Sequence, residues 1–244
     1  MIAVDGFSKY YGNFAAVREL DFRVKAGEVL GLVGPNGAGK TTTLRCISGI
    51  IPATAGNLQI AGINIADDPV AAKRQLAFFA DEPRLFDHLT VQQHLNFSAR
   101  IYQVEEYEER AQQLLEQMEL VDKRDQLPAE LSRGMKQKLV IACGLLHSPS
   151  VLFFDEPLTG LDPLGIRRMK QTIKRLASEK GAAIILSSHL LGLLEEVCTH
   201  VLIMKKGEKV ALGPLNEVVQ QYSNGDSGVS LEEVFLRATG GSED

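Results

Sequence analysis

Short apolar runs, not helical periodicity, dominate the first third of the chain. Residues 2–11 (IAVDGFSKYY), 20–24 (LDFRV) and 28–34 (EVLGLVG) read as strands, with a turn at Lys25-Ala26-Gly27-Glu28 between the second and third. A helix, KTTTLRCISGI, opens after Gly39 and is stopped near Gly49 and Pro52. Residues 57–65 (NLQIAGINI) alternate as a strand or hairpin, and residues 75–81 (QLAFFAD) suit a buried strand.

The pattern changes at Leu89. Thr90 is placed to cap a helix, VQQHLNFSARIYQ, and a polar, glutamate-rich helix, EEYEERAQQLLEQM, follows it. Strand-like runs return at 151–155 (VLFFD) and 183–188 (AIILSS), separated by the helix IRRMKQTIKRLASEK. This alternation predicts a mostly parallel sheet with helices on its faces. Residues 202–213 (LIMKKGEKVALG) read as a hairpin turning at Lys206-Gly207. Ser230-Leu231-Glu232-Glu233 has capping-box spacing for a final helix, and the acidic tail GGSED is expected to fray. The whole is read as one α/β unit. Its core takes residues 1–88 and 148–220, a helical subdomain is inserted at 89–147, and a short helix and tail occupy 221–244.

Composition narrows the class only a little. A net charge of -5, with lysines and arginines dispersed, leaves no electrostatic footprint for nucleic acid. Cys46, Cys143 and Cys198 stand far apart in apolar contexts, so they read as buried thiols of a reducing compartment. The N-terminus has neither the basic start nor the apolar core of a secretory signal. Apolar runs such as VLFF and AAIIL fall far short of the roughly 18 residues that a membrane span needs. The expectation is a cytosolic protein unless a partner holds it at a membrane.

The chemistry begins at LGLVGPNGAGKTTT. Gly34, Gly39, Lys40 and Thr41 fill the pattern GxxxxGK[ST], directly after a strand and directly before a helix. With Asn36 and Ala38 between them, Gly34, Gly37 and Gly39 let the backbone wrap close to phosphate, N–H groups inward. Lys40 reaches the β/γ-phosphates, Thr41 can ligate Mg²⁺, and Thr42 adds a donor in the first turn. The core is therefore that of a P-loop NTPase. VLFFDEP supplies the second half. Asp155 ends a buried strand, where a carboxylate needs a cation or donors, and it can hold Mg²⁺. Glu156, one residue on, is the candidate general base for an attacking water. His189 follows the strand AIILSS, at the sheet edge where ligands bind. His88, His94, His147 and His200 have no such address and read as surface or packing residues.

PAELSRGMKQKLVIACGLL, residues 128–146, looks like a second phosphate grip. Serine, arginine and glycine precede a helix that shows Lys136 and Lys138, and a helix start carries free N–H groups and positive charge. Leu131, Met135, Leu139, Cys143 and Leu146 fall mostly at four-residue spacing and anchor one face. The bland reading of Ser132 is an ordinary helix cap.

Together these elements resemble the ATP-binding subunit of ABC transporters over the whole chain. Leu131-Ser132-Arg133-Gly134-Met135 is similar to that family's LSGGQ signature. The resemblance implies an ATPase with N-terminal antiparallel strands beside the parallel sheet. It also implies a head-to-tail pair with a second ATP-binding domain, in which Ser132 and Gly134 meet the partner's γ-phosphate. Tyr11 resembles the aromatic that stacks on adenine, with Tyr10 the neighbouring candidate. Thr159-Gly160-Leu161-Asp162 corresponds to the D-loop, with Asp162 crossing the dimer interface, and His189 to the switch histidine. Three positions depart from the pattern, one of them Met135, which stands where the signature ends in glutamine. Arg133 replaces the second signature glycine and adds positive charge near phosphate, while Asp81 stands where a glutamine is usual and is a further candidate Mg²⁺ ligand.

Transport would then require separate membrane permease subunits, docked near residues 81–99, where Pro83, Leu85, Phe86 and Leu89 suit an apolar groove. The chain would sit peripherally on the cytoplasmic face of the cell membrane. LEEVFLRATG resembles endings of subunits that serve exporters. The alternative is a soluble ABC ATPase acting on nucleic acid or ribosomes; a single cassette without a long heptad run argues against it.

Overall fold

The computed structural model describes residues 1–157, 161–223 and 228–240. Two sheets organise them. The first is antiparallel, with strand order β2-β1-β4-β5, and contains β1 (Ile2–Tyr11), β2 (Phe14–Val24), β4 (Ala55–Ile60) and β5 (Ile63–Asn64). The second runs β10-β9-β3-β8-β7-β6. Its strands are β3 (Val29–Val33), β6 (Leu76–Phe79), β7 (Val151–Asp155), β8 (Ala183–Ser187), β9 (His200–Lys205) and β10 (Glu208–Pro214). Neighbours in it are parallel except the edge hairpin of β9 and β10.

The period of two along each strand divides the core. Leu30, Leu32, Val151, Phe153 and Ile185 face the antiparallel sheet, with Leu44 and Ile47 of α1 (Lys40–Ile47) packed among them. Val29, Val33, Leu152, Phe154, Ile184 and Leu186 point to the opposite face and meet helices. Those helices include α3 (Val91–Tyr102), α4 (Glu108–Met118) and α5 (Arg133–Leu145), which follow one another between β6 and β7. The unbroken apolar run VLFF is thus explained: β7 is buried on both faces, as central parallel strands are. Burying each of its phenylalanines contributes about 1.5–3 kcal/mol. Phe154 also stacks on Phe79 of β6, ring centroids 4.7 Å apart.

Several boundaries differ from the sequence reading. The second strand begins at Phe14, not Leu20, because Gly12-Asn13 makes a two-residue turn that sets Tyr11 opposite Phe14. The glutamate-rich helix starts at Glu108, three residues late. α6 (Pro163–Ser178) starts early, because Asp162 caps it and Pro163 suits its first position. α2 (Pro69–Arg74), α7 (Leu191–Val197) and α8 (Leu215–Tyr222) were not foreseen. α9 (Leu231–Thr239) takes only half of its capping box. Ser230 accepts from the Glu233 amide, whereas the Glu233 carboxylate pairs with Arg237. Thr90 makes the complete box with Gln93. The tail beyond Gly240 lies outside the described residues.

Candidate active site

β3, β7 and β8 end side by side, and their carboxyl ends carry the phosphate loop and the acidic pair. After Val33 the chain folds back on itself before α1 begins. Gly37 and Gly39 have φ of +76° and +101°. A Cβ on Gly39 would lie 2.6 Å from the Ala16 carbonyl oxygen, and one on Gly34 would lie 2.5 Å from that of Met204. Main chain blocks both positions, so only glycine fits. No side chain caps α1, which leaves its first amides available to an anion. Lys40 is buried, and its ammonium donates to the carbonyls of Gly34 (2.6 Å) and Pro35 (3.1 Å). Burial lowers its pKa, against the pull of Glu156 and Asp155.

Asp155 is buried and accepts from Ser187 Oγ at 2.7 Å and from Thr41 Oγ1 at 3.5 Å. Glu156 leaves the strand with φ +52°, a left-handed conformation that is rare outside glycine. Its amide is shared between the carbonyl and hydroxyl oxygens of Ser187, both 3.2 Å away. Burial raises the Glu156 pKa, opposed by His189 and Lys40. Glu156 Oε2 accepts from the His189 amide at 3.2 Å, and His189 Nε2 stands 3.2 Å from Oε1. Oε1 nevertheless accepts no hydrogen bond among the described residues.

These groups surround a cavity of about 280 Å³. Residues 36–42 line it together with Tyr11, Phe14, Ala16, Asp155, Glu156 and His189. Tyr10 and Asp81 are not in its lining. A larger cleft of 440 Å³ between α4 and α6 has neither a glycine loop nor an acidic pair.

Residues 131–135 are also absent from the lining. Ser132 and Arg133 are exposed, and Leu131 is buried beneath them. Ser132 is a helix cap, accepting from the Met135 amide at 3.3 Å, while Arg133 donates to Asp81 Oδ1 at 3.3 Å. Gly134 has room around it, with the Leu161 side chain its nearest neighbour. Asp162 caps α6 through the Gly165 amide, at 2.9 Å; Thr159 and Gly160 lie outside the described residues.

The family profile described as ABC transporter matches residues 17–159, which hold the loop, the acidic pair and the α5 start. The chain belongs to the ABC transporter family. It is similar to the linearmycin resistance ATP-binding protein LnrL of Bacillus subtilis (strain 168), 33% identical over 245 residues, 98% of this chain and 78% of that one. A solved ATP-binding subunit of an ABC transporter superposes with a TM-score of 0.91 at 35% identity, covering 98% of this chain and 99% of that one. A dimeric bacterial ABC transporter cassette, MJ0796, superposes with a TM-score of 0.80 at 25% identity, covering 88% and 99%. The chain is thus an ATP-binding subunit of an ABC transporter and an ATPase.

Phe14, Ala16 and Ser187 of this ABC subunit's site escaped the sequence reading. Phe14 lines the cavity opposite Tyr11, and the Gly12-Asn13 turn was the signal that would have found it. Ser187 bridges both acidic residues, but a serine ending a strand carries no motif of its own. Mg²⁺ fits the donor set, since Thr41 and Asp155 bring two hard oxygen ligands within 3.5 Å of each other. Elsewhere the packing readings hold. Buried His94 accepts from the Phe86 amide, and His147 stacks on Tyr102, ring centroids 3.6 Å apart. Cys46 and Cys198 are buried and Cys143 is partly so. Burial pushes their thiols up to about 11 for Cys46 and about 12 for the other two. Among the described residues no helix is long and apolar enough to cross a membrane.

Proposed function

We propose that the subunit works as a head-to-tail dimer, in which each ATP is held by residues 34–42 of one chain and by the α5 start of the other. The carrying observation is the separation of the two grips: the cavity excludes residues 131–135, while Ser132 and Arg133 face solvent. The dimeric cassette similar to this chain supports the pairing. Ser132 spends an oxygen lone pair on the Met135 amide, which leaves its O–H free to donate to the partner's γ-phosphate beside the Gly134 amide. Leu131 and Met135 anchor that helix start from below, and Asp162 stands at the same interface.

In hydrolysis Glu156 accepts a proton from water while the water oxygen bonds to the γ-phosphorus. The bond from that phosphorus to the β,γ-bridging oxygen breaks, giving ADP and phosphate. The raised pKa makes Glu156 a stronger base than an ordinary carboxylate. His189 holds Glu156 and lies where it can donate to the γ-phosphate. Lys40 and the loop amides compensate phosphate charge, and Tyr11 stacks on the base. Thr41 and Asp155 would hold Mg²⁺, which neutralises charge on the β- and γ-phosphates.

The partner that turns hydrolysis into transport is a separate membrane permease. Exposed Phe86 and Phe97 pack edge to face at 4.9 Å and supply an apolar docking point on the segment after β6. The subunit then sits on the cytoplasmic face of the membrane. The resistance role in the name of the linearmycin relative supports export.

The test is titration of monomeric variants with a fluorescent ATP analogue. Lys40→Ala weakens binding in the monomer. Ser132→Arg keeps monomer affinity near wild type but abolishes ATP-driven dimerisation and turnover. Equal loss of affinity in both variants would place the two residues in one site of one chain and overturn the proposal.

A further inference from the structure

Asp81 and Arg133, two of the positions at which this cassette departs from its family's motifs, are bonded to each other. Arg133 Nη2 donates to Asp81 Oδ1 at 3.3 Å across 52 residues of sequence, joining the first residue of α5 to the loop after β6. The side chains are 48% and 49% exposed, so solvent screens the pair and it is weak. One of the five guanidinium N–H donors is engaged among the described residues. The others sit at the start of a helix whose capping Ser132 is exposed. An arginine there is placed to bind a phosphate, whose three acceptor oxygens and higher charge exceed what one carboxylate offers.

We propose that Arg133 is a phosphate ligand that changes partners, and that Asp81 is its resting partner. In the separate subunit the guanidinium lies on Asp81. When the partner's ATP closes on α5, the γ-phosphate displaces the carboxylate, Arg133 turns to the phosphate, and the loop after β6 is released. Asp81 therefore sets the ATP concentration at which two subunits close, and a glutamine there would not hold the arginine by charge. The inference rests on the head-to-tail reading above.

The experiment is sedimentation at graded ATP–Mg²⁺ in the hydrolysis-deficient Glu156→Gln background. Adding Asp81→Ala frees the arginine and lowers the ATP concentration for half-dimerisation, by up to about fivefold for an exposed pair. Adding Arg133→Ala raises it at least about tenfold. The exchange Asp81→Arg with Arg133→Asp keeps an ion pair in the monomer but sets a carboxylate against the phosphate, so dimerisation is lost. Monomer affinity for a fluorescent ATP analogue stays unchanged in each, which also reports that the variants fold. A merely structural bridge gives the opposite: Asp81→Ala weakens dimerisation and the exchange restores it. Either of those results, or a silent Arg133→Ala, overturns this inference and leaves the head-to-tail dimer standing. A background protein that never dimerises with ATP overturns both.

Discussion

Ser187 Oγ donates to Asp155 Oδ1 across 2.7 Å, and both residues are buried. The same oxygen receives the amide of Glu156, so one hydroxyl holds the metal-binding candidate and the base candidate in register at the ends of adjacent parallel strands. The carbonyl of Ser187 shares that amide. Ser187 is a positioning residue, acting through Asp155 and Glu156.

Replacing it with alanine leaves Asp155 with Thr41 as its one side-chain donor among the described residues. Removing such a support costs about 10- to 100-fold in metal affinity or activity. Ser187→Ala should therefore lower kcat in that range and shift the Mg²⁺ requirement upward, while ATP affinity in the monomer changes little. Steady-state kinetics at graded Mg²⁺ checks this; an unchanged Mg²⁺ requirement removes Ser187 from the role.

Glu156→Gln should reduce turnover at least ~100-fold, as for loss of a positioned base. It should also raise Tm at neutral pH. The folded-state pKa lies above the ordinary 4.5, chiefly through burial, so the folded protein binds more protons than the unfolded chain and ionising Glu156 destabilises it. That penalty is complete above the raised pKa, shrinks as pH falls through it and vanishes below 4.5. The Tm difference between variant and wild type should follow the same course in thermal melts across pH. A variant less stable than wild type at pH 7 would mean that His189 and Lys40 outweigh burial.

How much of this was legible in the sequence depended on whether a feature is local. The loop at 34–41 and the acidic pair at 155–156 are contiguous motifs whose neighbours, a strand and a helix, are also local, and their expected placement matches the structure. Thr90 wrote its capping box within four residues. Ser187 could not be read, because its meaning arises only when β7 and β8 pair over 32 residues of separation. The Asp81–Arg133 contact was hidden for the same reason: each residue was visible as a departure, but their meeting depends on how α5 lies over the β6 loop. Ser230 shows the converse, a local motif half overridden when Glu233 paired with Arg237.

Gly39→Ala should abolish nucleotide binding without unfolding the chain. The new Cβ would press on the Ala16 carbonyl of β2 at 2.6 Å, and the φ of +101° disfavours any L side chain. The loop must open to relieve both, which withdraws the amides from the phosphate. Gly37→Ala is the matched control. Its φ of +76° is strained as well, but nothing lies within 4 Å of the added Cβ, so it should weaken binding less. Titration with a fluorescent ATP analogue ranks them, and equal losses would show that backbone strain alone, not the contact with β2, decides.

Phe14 should matter to nucleotide affinity as much as Tyr11 does. The two are register partners beside the turn of the β1–β2 hairpin, 65% and 51% exposed, and both line the cavity. Rings left this open to water gain nothing for folding, so their burial is available to a ligand with a flat apolar face. Lys9 Nζ sits 4.9 Å from the Tyr11 ring centroid, occupying one face of that ring and leaving the other for the base. Aromatic stacking contributes about 0.5–1.5 kcal/mol beyond area burial. Phe14→Ala should therefore weaken ATP binding roughly 2- to 12-fold with Tm unchanged, and Tyr11→Ala should do likewise. If both rings hold one base, the double variant should lose less than the product of the single losses, because the second ring has little to hold once the first is gone. Rings read the face of a base rather than its edge, so GTP should bind with an affinity close to that of ATP. Titrating the four proteins with fluorescent ATP and GTP analogues tests all of this. A Phe14→Ala protein that binds as wild type would leave the base to Tyr11 alone.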